Sequence, residues 1–194
     1  MKSFRPARPS DVPQILILSD MAARGLLLWR WSLLTEPGQS ALEVGRKRIT
    51  EQTDLALHFS HWTLLESGGE VAGGFVLSRI EDPVDLGELD QMPEIFHPMM
   101  RLSAKTPGAW TLAALAVFAD HRRKGLAQEM LDEAERRVRA SDERRLTLLV
   151  ETPNLGARKL YESRGFTEIA REPFIGFPGC RDEGDWHLLQ KTVV

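Results

Sequence analysis

The chain has 194 residues, of which 42% are apolar and 27% charged, with a formal net charge of −3. That length and apolar content fit one domain over residues 1–194 with a real core and exclude wholesale disorder, while the slight acidity argues against a protein built to coat nucleic acid or an anionic membrane. The lone Cys180 excludes an internal disulfide and a cysteine-based zinc site.

The start, Met1-Lys2-Ser3-Phe4-Arg5-Pro6, has no apolar stretch behind basic residues, and runs such as Leu26-Leu27-Leu28-Trp29 are far too short to span a bilayer. The expected compartment is the cytoplasm. Ser10-Asp11 offers helix-capping oxygens, and Val12, Ile15, Leu16, Ala22 and Ala23 recur at helical spacing until Gly25. Gly38-Gln39-Ser40 opens a second helix through Leu42, Val44 and Ile49. Trp62 to Leu65 reads as a strand, Ser67-Gly68-Gly69-Glu70 as a hairpin turn, and Val71 to Ile80 as the returning strand.

Glu81 to Ala109 is long for a connection within a domain, carries several prolines, and predicts only a short helix around Glu94 to Leu102. Trp110 to Phe118 is an almost wholly apolar strand, which suggests burial on both faces. Leu126, Met130, Ala134 and Val138 then mark the apolar stripe of a long amphipathic helix. Leu146 to Val150 is a further buried strand. Asn154 can cap a helix holding Leu160 and Tyr161, and Gly165 stops it. Phe166 to Ala170 and Asp185 to Leu189 are the closing strands. The order predicts an α/β fold whose central strands carry helices.

The most informative junction is Asp120-His121-Arg122-Arg123-Lys124-Gly125-Leu126-Ala127, where the apolar strand turns into the amphipathic helix. A helix start presents unpaired N–H groups, and glycine admits an anion close to the backbone. Three cations add charge there, so a pyrophosphate is one reading; a solvated basic turn before a helix is the other. The run is neither a P-loop nor a Gly-x-Gly-x-x-Gly dinucleotide motif.

Taken together, several segments resemble the GNAT superfamily of N-acetyltransferases. Arg122-Arg123-Lys124-Gly125-Leu126-Ala127 matches the family's Arg/Gln-x-x-Gly-x-Gly/Ala cofactor motif, with alanine at the last position. Leu115-Ala116-Val117 is similar to the strand that pairs with the pantetheine arm. Asn154-x-x-Ala157-x-x-Leu160-Tyr161-x-x-x-Gly165-Phe166 is similar to the second cofactor motif, and Glu70 to Phe75 to the hairpin before them. The resemblance implies a mixed, mostly antiparallel twisted sheet with a splayed central parallel pair and helices on both faces. It also implies acetyl-CoA as co-substrate, no metal, and direct attack by a primary amine in a ternary complex.

Within that resemblance, Leu115, Ala116, Val117, Arg122, Arg123, Lys124, Gly125, Leu126, Ala127, Asn154 and Tyr161 hold the acyl donor, and the N–H of Val117 can polarise the thioester carbonyl. Tyr161, the only tyrosine, stands where many members keep a proton donor for the departing thiolate. Asn154 is explained nearly as well by helix capping. No base is evident: Glu66, Glu70, Glu88, Asp90, Glu94 or water can serve. The insert's acids, Glu81, Asp82, Asp85, Glu88, Asp90 and Glu94, favour a cationic acceptor, small-molecule or peptide. Trp29-Arg30-Trp31 reads as core or as acceptor wall, and His58-x-x-His61 lacks further metal ligands. Nucleic acid and membrane are not expected partners, whereas a homodimer is compatible with the family. A non-catalytic acyl-CoA sensor of the same fold is the alternative reading.

Overall fold

Caps, turn residues and apolar periodicity divide the chain into six α-helices and seven strands among residues 2–87, 89–180 and 183–194, the residues described by the computed structural model. The strands follow the order β1-β2-β3-β4-β5-β7-β6. The chain forms two compact units, Met1–Leu77 with Ala113–Asp132 and Ser78–Leu112 with Glu133–Val194.

In the first unit, β1 (Lys2–Pro6), β2 (Trp62–Ser67) and β3 (Glu70–Arg79) are successive antiparallel neighbours. Gly68 and Gly69 form the predicted two-residue turn with φ of +68° and +89°, the left-handed pair that such a hairpin requires. Helix α1 (Val12–Ala22) ends before Gly25, but the chain does not leave helical structure for long. Gly25, at φ +92°, starts a short α2 (Leu26–Ser32), bent by 111° from the first helix. The predicted second helix is α3 (Ala41–Glu51), opened by a capping box in which Ser40 Oγ accepts from the Glu43 N–H and Glu43 accepts from the Ser40 N–H. No helix among the described residues is long and apolar enough to cross a membrane.

Asp11 caps the 3-10 turn at Pro9–Asp11 rather than α1. Its carboxylate makes no cap bond to α1 and instead accepts from both terminal nitrogens of Arg5, at 2.7 and 2.9 Å, and from the Arg8 N–H. Hydrogen bonding to the Arg5 guanidinium holds this buried carboxyl below its usual range. Trp31 enters the core with Val12, Ile15, Leu18, Val44 and Trp62, which removes it from an acceptor wall. Its indole lies where a side chain at Gly45 would stand, with 2.5 Å to the nearest ring carbon. His58 is likewise engaged within the fold, its two ring nitrogens meeting Ser60 Oγ and the Thr50 carbonyl.

Strand β4 (Trp110–Val117) corrects the expectation of burial on both faces. Leu112, Ala114 and Ala116 are buried, whereas Leu115 and Val117 are half-buried and Ala113 is exposed. The strand is therefore apolar on a face that the protein itself does not fully cover. Helix α5 (Leu126–Arg139) buries Leu126, Met130, Leu131, Ala134 and Val138, as its periodicity predicts.

In the second unit, the start of β4 runs parallel to β5 (Arg145–Glu151), with Trp110 opposite Leu146 and Thr111 opposite Thr147. β7 (Asp185–Thr192) lies antiparallel between β5 and β6 (Thr167–Pro173). The long segment after β3 contains 3-10 turns at Leu89–Gln91 and Glu94–Phe96, the latter running into α4 (His97–Ser103). Leu102 packs with Trp186 and Leu188, and Arg101 forms an ion pair with Glu172, which ties α4 to β6. Helix α6 (Leu155–Ser163) ends on Gly165, whose φ is +84°.

Gly73 is the tightest joint in the first unit. A Cβ there would stand 2.5 Å from the Ala116 carbonyl oxygen and 3.2 Å from Val117 Cα, both backbone atoms that cannot swing away. Gly73→Ala is expected to cost about 1–3 kcal/mol in urea unfolding, the range for overpacking. Gly156→Ala, where nothing lies within 4 Å, should instead be neutral or stabilise by up to about 1 kcal/mol.

Candidate functional site

The turn between β4 and α5 is built from backbone geometry first. Ala119–His121 makes one 3-10 turn, Arg122 is extended, and Arg123 and Gly125 take left-handed φ values of +59° and +77°. Gly125 meets the φ without steric cost, and an added Cβ would find only Gln128 Oε1, at 3.8 Å. Arg123 adopts the same region without that freedom, a strain of roughly 1–2 kcal/mol of the kind that persists at functional sites. The helical ladder begins with Gln128 and Glu129, both donating to the Gly125 carbonyl. The N–H groups of Leu126 and Ala127 precede that ladder and have no helical carbonyl to donate to. An extended Arg122 and left-handed Arg123 and Gly125 before a helix N-terminus have the form of an anion-binding concavity.

Arg122, Arg123, Lys124 and Gly125 are all exposed, and neither Arg123 nor Lys124 forms an ion pair among the described residues. Arg122 is turned inward at its Nε, which donates to the Val117 carbonyl at 3.1 Å and staples the strand end to the turn. Leu126 is buried, so its contribution to a ligand is its backbone, and Ala127 is half-buried. Upstream, the half-buried Leu115 and Val117 supply apolar surface while Ala116 is buried. An open glycine, free helical N–H groups, two unpaired cations and an uncovered apolar strand face suit a phosphorylated carrier with an apolar-tolerant arm. Among the described residues no cluster of His, Cys, Asp or Glu is disposed to hold a metal ion.

Asn154 and Tyr161 belong to the second unit. Asn154 stands at the N-cap position of α6, but its side chain makes no capping bond, and only its carbonyl serves the helix, accepting from Arg158. The capping explanation for this asparagine therefore fails, because ψ at 57° is far from the extended value that aims a cap side chain inward. Tyr161 is buried on α6 with its ring 5.8 Å from that of Phe166. Burial, reinforced by the charge of Glu151, pushes its phenol up to about 12.

Glu151 was not singled out by sequence. It is a buried acid closing β5 after the apolar run Leu148-Leu149-Val150, opposite Trp186. A charge ending a buried strand was the available signal. Of the acids considered as bases, Glu66 is taken up by Arg5 at 2.6 Å, whose hydrogen bond lowers its carboxyl below the usual range. Glu70, Asp90 and Glu94 are exposed, and Glu88 lies outside the described residues.

The family model described as "Acetyltransferase (GNAT) family" matches residues 27–166. No curated protein sequence matches the chain. Among solved structures, an N-acetyltransferase from Staphylococcus aureus Mu50 is 19% identical with a TM-score of 0.66, covering 97% of this chain and 100% of that one. The putative acetyltransferase yncA from Salmonella typhimurium, solved with acetyl-CoA, is 18% identical with a TM-score of 0.60 over 100% and 95% of the two chains. Arabidopsis thaliana Naa50, in complex with the bisubstrate analogue CoA-Ac-MVNAL, is 15% identical with a TM-score of 0.58 over 98% of each chain.

The Tyr161 phenol yields a stability test. An unfolded chain ionises it near 10, the folded chain only near 12. Its contribution is thus fully present below pH ~10 and is lost as pH rises towards ~12, by about 3 kcal/mol at about 1.4 kcal/mol per pH unit. Urea unfolding across that window should show a steeper alkaline loss in the wild type than in Tyr161→Phe. Parallel curves would mean that the phenol is not held neutral by the fold.

Proposed function

The chain belongs to the GNAT acetyltransferase family, and we propose that it transfers an acetyl group from acetyl-CoA to a primary amine by direct attack in a ternary complex. The observation that carries this reading is the exposed turn Arg122–Ala127, with two left-handed residues in front of a long helix. In this reading the N–H groups around Gly125 to Ala127, with Arg123 and Lys124, bind the pyrophosphate. Leu115 to Val117 line the pantetheine arm, and Asn154 adds a contact that helix capping does not consume.

Direct attack needs the two reactants held together more than it needs covalent chemistry from the protein. The N–H of Val117 is assigned to the thioester oxygen, and Tyr161 to the departing sulfur. A phenol at about 12 stays protonated at every working pH. It also holds its proton more tightly than a thiol at ~8.5, so Tyr161 stabilises the developing thiolate chiefly as a hydrogen-bond donor. The acceptor is a small-molecule or peptide amine. The exposed acids Glu81, Asp82, Asp85, Asp90 and Glu94 favour a cationic one.

Acetyl-CoA should raise the melting temperature. At 100-fold excess over its Kd the gain is about 2.7 kcal/mol, or roughly 5–10 °C for a chain of this size. Gly125→Val should remove the shift, because its side chain fills the mouth of the turn in a backbone region that disfavours it. A normal shift in that variant places the phosphates elsewhere.

Tyr161→Phe keeps the ring and removes the donor. With an amine identified by thiol release, turnover should fall by roughly 10²-fold while the KM for acetyl-CoA changes little. Binding of acetyl-CoA with no thiol release to any amine would instead identify an acyl-CoA sensor.

A further inference from the structure

The turn Arg122–Ala127 has the form of an anion site, yet the helix it opens carries an acid in its first turn. Glu129 stands there, and its N–H donates to the Gly125 carbonyl at 3.2 Å. Residues four apart on a helix are neighbours, with about 5–6 Å between their Cβ positions. A helical side chain also leans towards the helix N-terminus. The Glu129 carboxylate is thus carried on the same short stretch of backbone as the unspent N–H groups of Leu126 and Ala127. Without a ligand this is favourable, since a carboxylate in the first turn complements the positive end of the helix dipole. For an incoming phosphate it is a like charge competing for the same field.

Glu129 is paired, however. Lys2 Nζ of β1 lies 2.5 Å from Glu129 Oε1, and the two side chains are 44% and 38% exposed. Strand register brings Lys2 to this place. Lys2 is opposite Ser67 at the end of β2, and Ser67 is opposite Glu70 at the start of β3. The Glu70 carboxylate in turn comes within 3.9 Å of His121 Nε2, one residue before Arg122. The start of β1 therefore belongs to the same end of the sheet as the turn, and all of these residues lie in one compact unit. β1 is anchored without Lys2: all five of its residues pair with β2, and Arg5 bonds both Asp11 and Glu66. A half-exposed ion pair adds little to a strand already held in this way.

We infer that Lys2 is a positioning residue of the donor site, an inference that rests on the acetyl-CoA site proposed above. By pairing with Glu129 it neutralises the carboxylate in the first turn of α5. The field of the helix start, with Arg123 and Lys124, is then left to the phosphates of the donor. Lys2 acts through Glu129 and does not itself hold a phosphate. An uncancelled like charge a few ångströms from a bound phosphate changes affinity several-fold even in a partly aqueous setting.

The two ends of the pair should respond with opposite signs when CoA binding is measured by calorimetry. In 0.15 M salt, charges more than about 8 Å apart are largely screened, so the comparison reads local effects. Lys2→Gln should weaken binding by roughly 3- to 10-fold. Glu129→Gln should tighten binding or leave it unchanged, and the double variant should return to the wild-type value or better. Lys2→Arg, which keeps the charge, should bind as the wild type does. In 1 M salt the gap between Lys2→Gln and the wild type should close to within about 2-fold. Equal losses in the two single variants would make the pair a structural tie. A loss in Lys2→Gln that persists in the double variant would make Lys2 a direct phosphate ligand. Either result, or no change in any variant, would overturn this inference and leave the donor site standing. A wild type that binds no CoA would overturn both.

Discussion

The turn that joins β4 to α5 constrains everything around it. A strand can feed a helix through so short a connection only if the backbone reverses its hand, and Arg123 and Gly125 do this with positive φ. The same reversal leaves the first helical N–H groups unspent and places the cations Arg123 and Lys124 beside them. What makes the connection geometrically possible is therefore also what gives it the form of an anion-binding turn. The Arg122 guanidinium, donating to the Val117 carbonyl, fixes the turn to the end of the strand. Gly73 of β3 lets that strand lie close enough for its backbone to be held as well.

Part of the fold was legible in the sequence because it is local. The stripe of α5, the Gly68-Gly69 hairpin and the helix opening at Ser40 depend on residues within a turn or two of one another. β1 was not legible: Lys2 to Pro6 is short, mostly polar and largely exposed, and it is held at the edge of β2 by Arg5 reaching Asp11 and Glu66. α2 was hidden for the opposite reason, since Leu26 to Trp29 is uniformly apolar and shows no period. The strand β4 misled in a third way. Its apolar run suggested two buried faces, but only Leu112, Ala114 and Ala116 are buried, while Ala113 is exposed and Leu115 and Val117 are half-buried.

The residues at the end of β5 were beyond sequence reasoning for a stricter reason. Thr152, Glu168 and His187 share no motif, and only the antiparallel register of β5, β7 and β6 unites them. His187 stands opposite Val150 on one side and Arg171 on the other. Strand pairing is a long-range property, so neither spacing nor residue type announces it. The buried Glu151 is an intermediate case: its position was readable, but its effect on Tyr161 was not.

The second unit holds two buried polar side chains in environments of opposite character. Tyr161 sits among apolar neighbours with the Glu151 charge nearby, and both disfavour the phenolate, so the proton stays on the ring. His187 has a carboxylate on one nitrogen and a hydroxyl on the other, so both ring nitrogens of this buried side chain have partners. Two polar side chains of one unit are thus satisfied in different ways, one by keeping its proton and the other by bonding at both ring nitrogens.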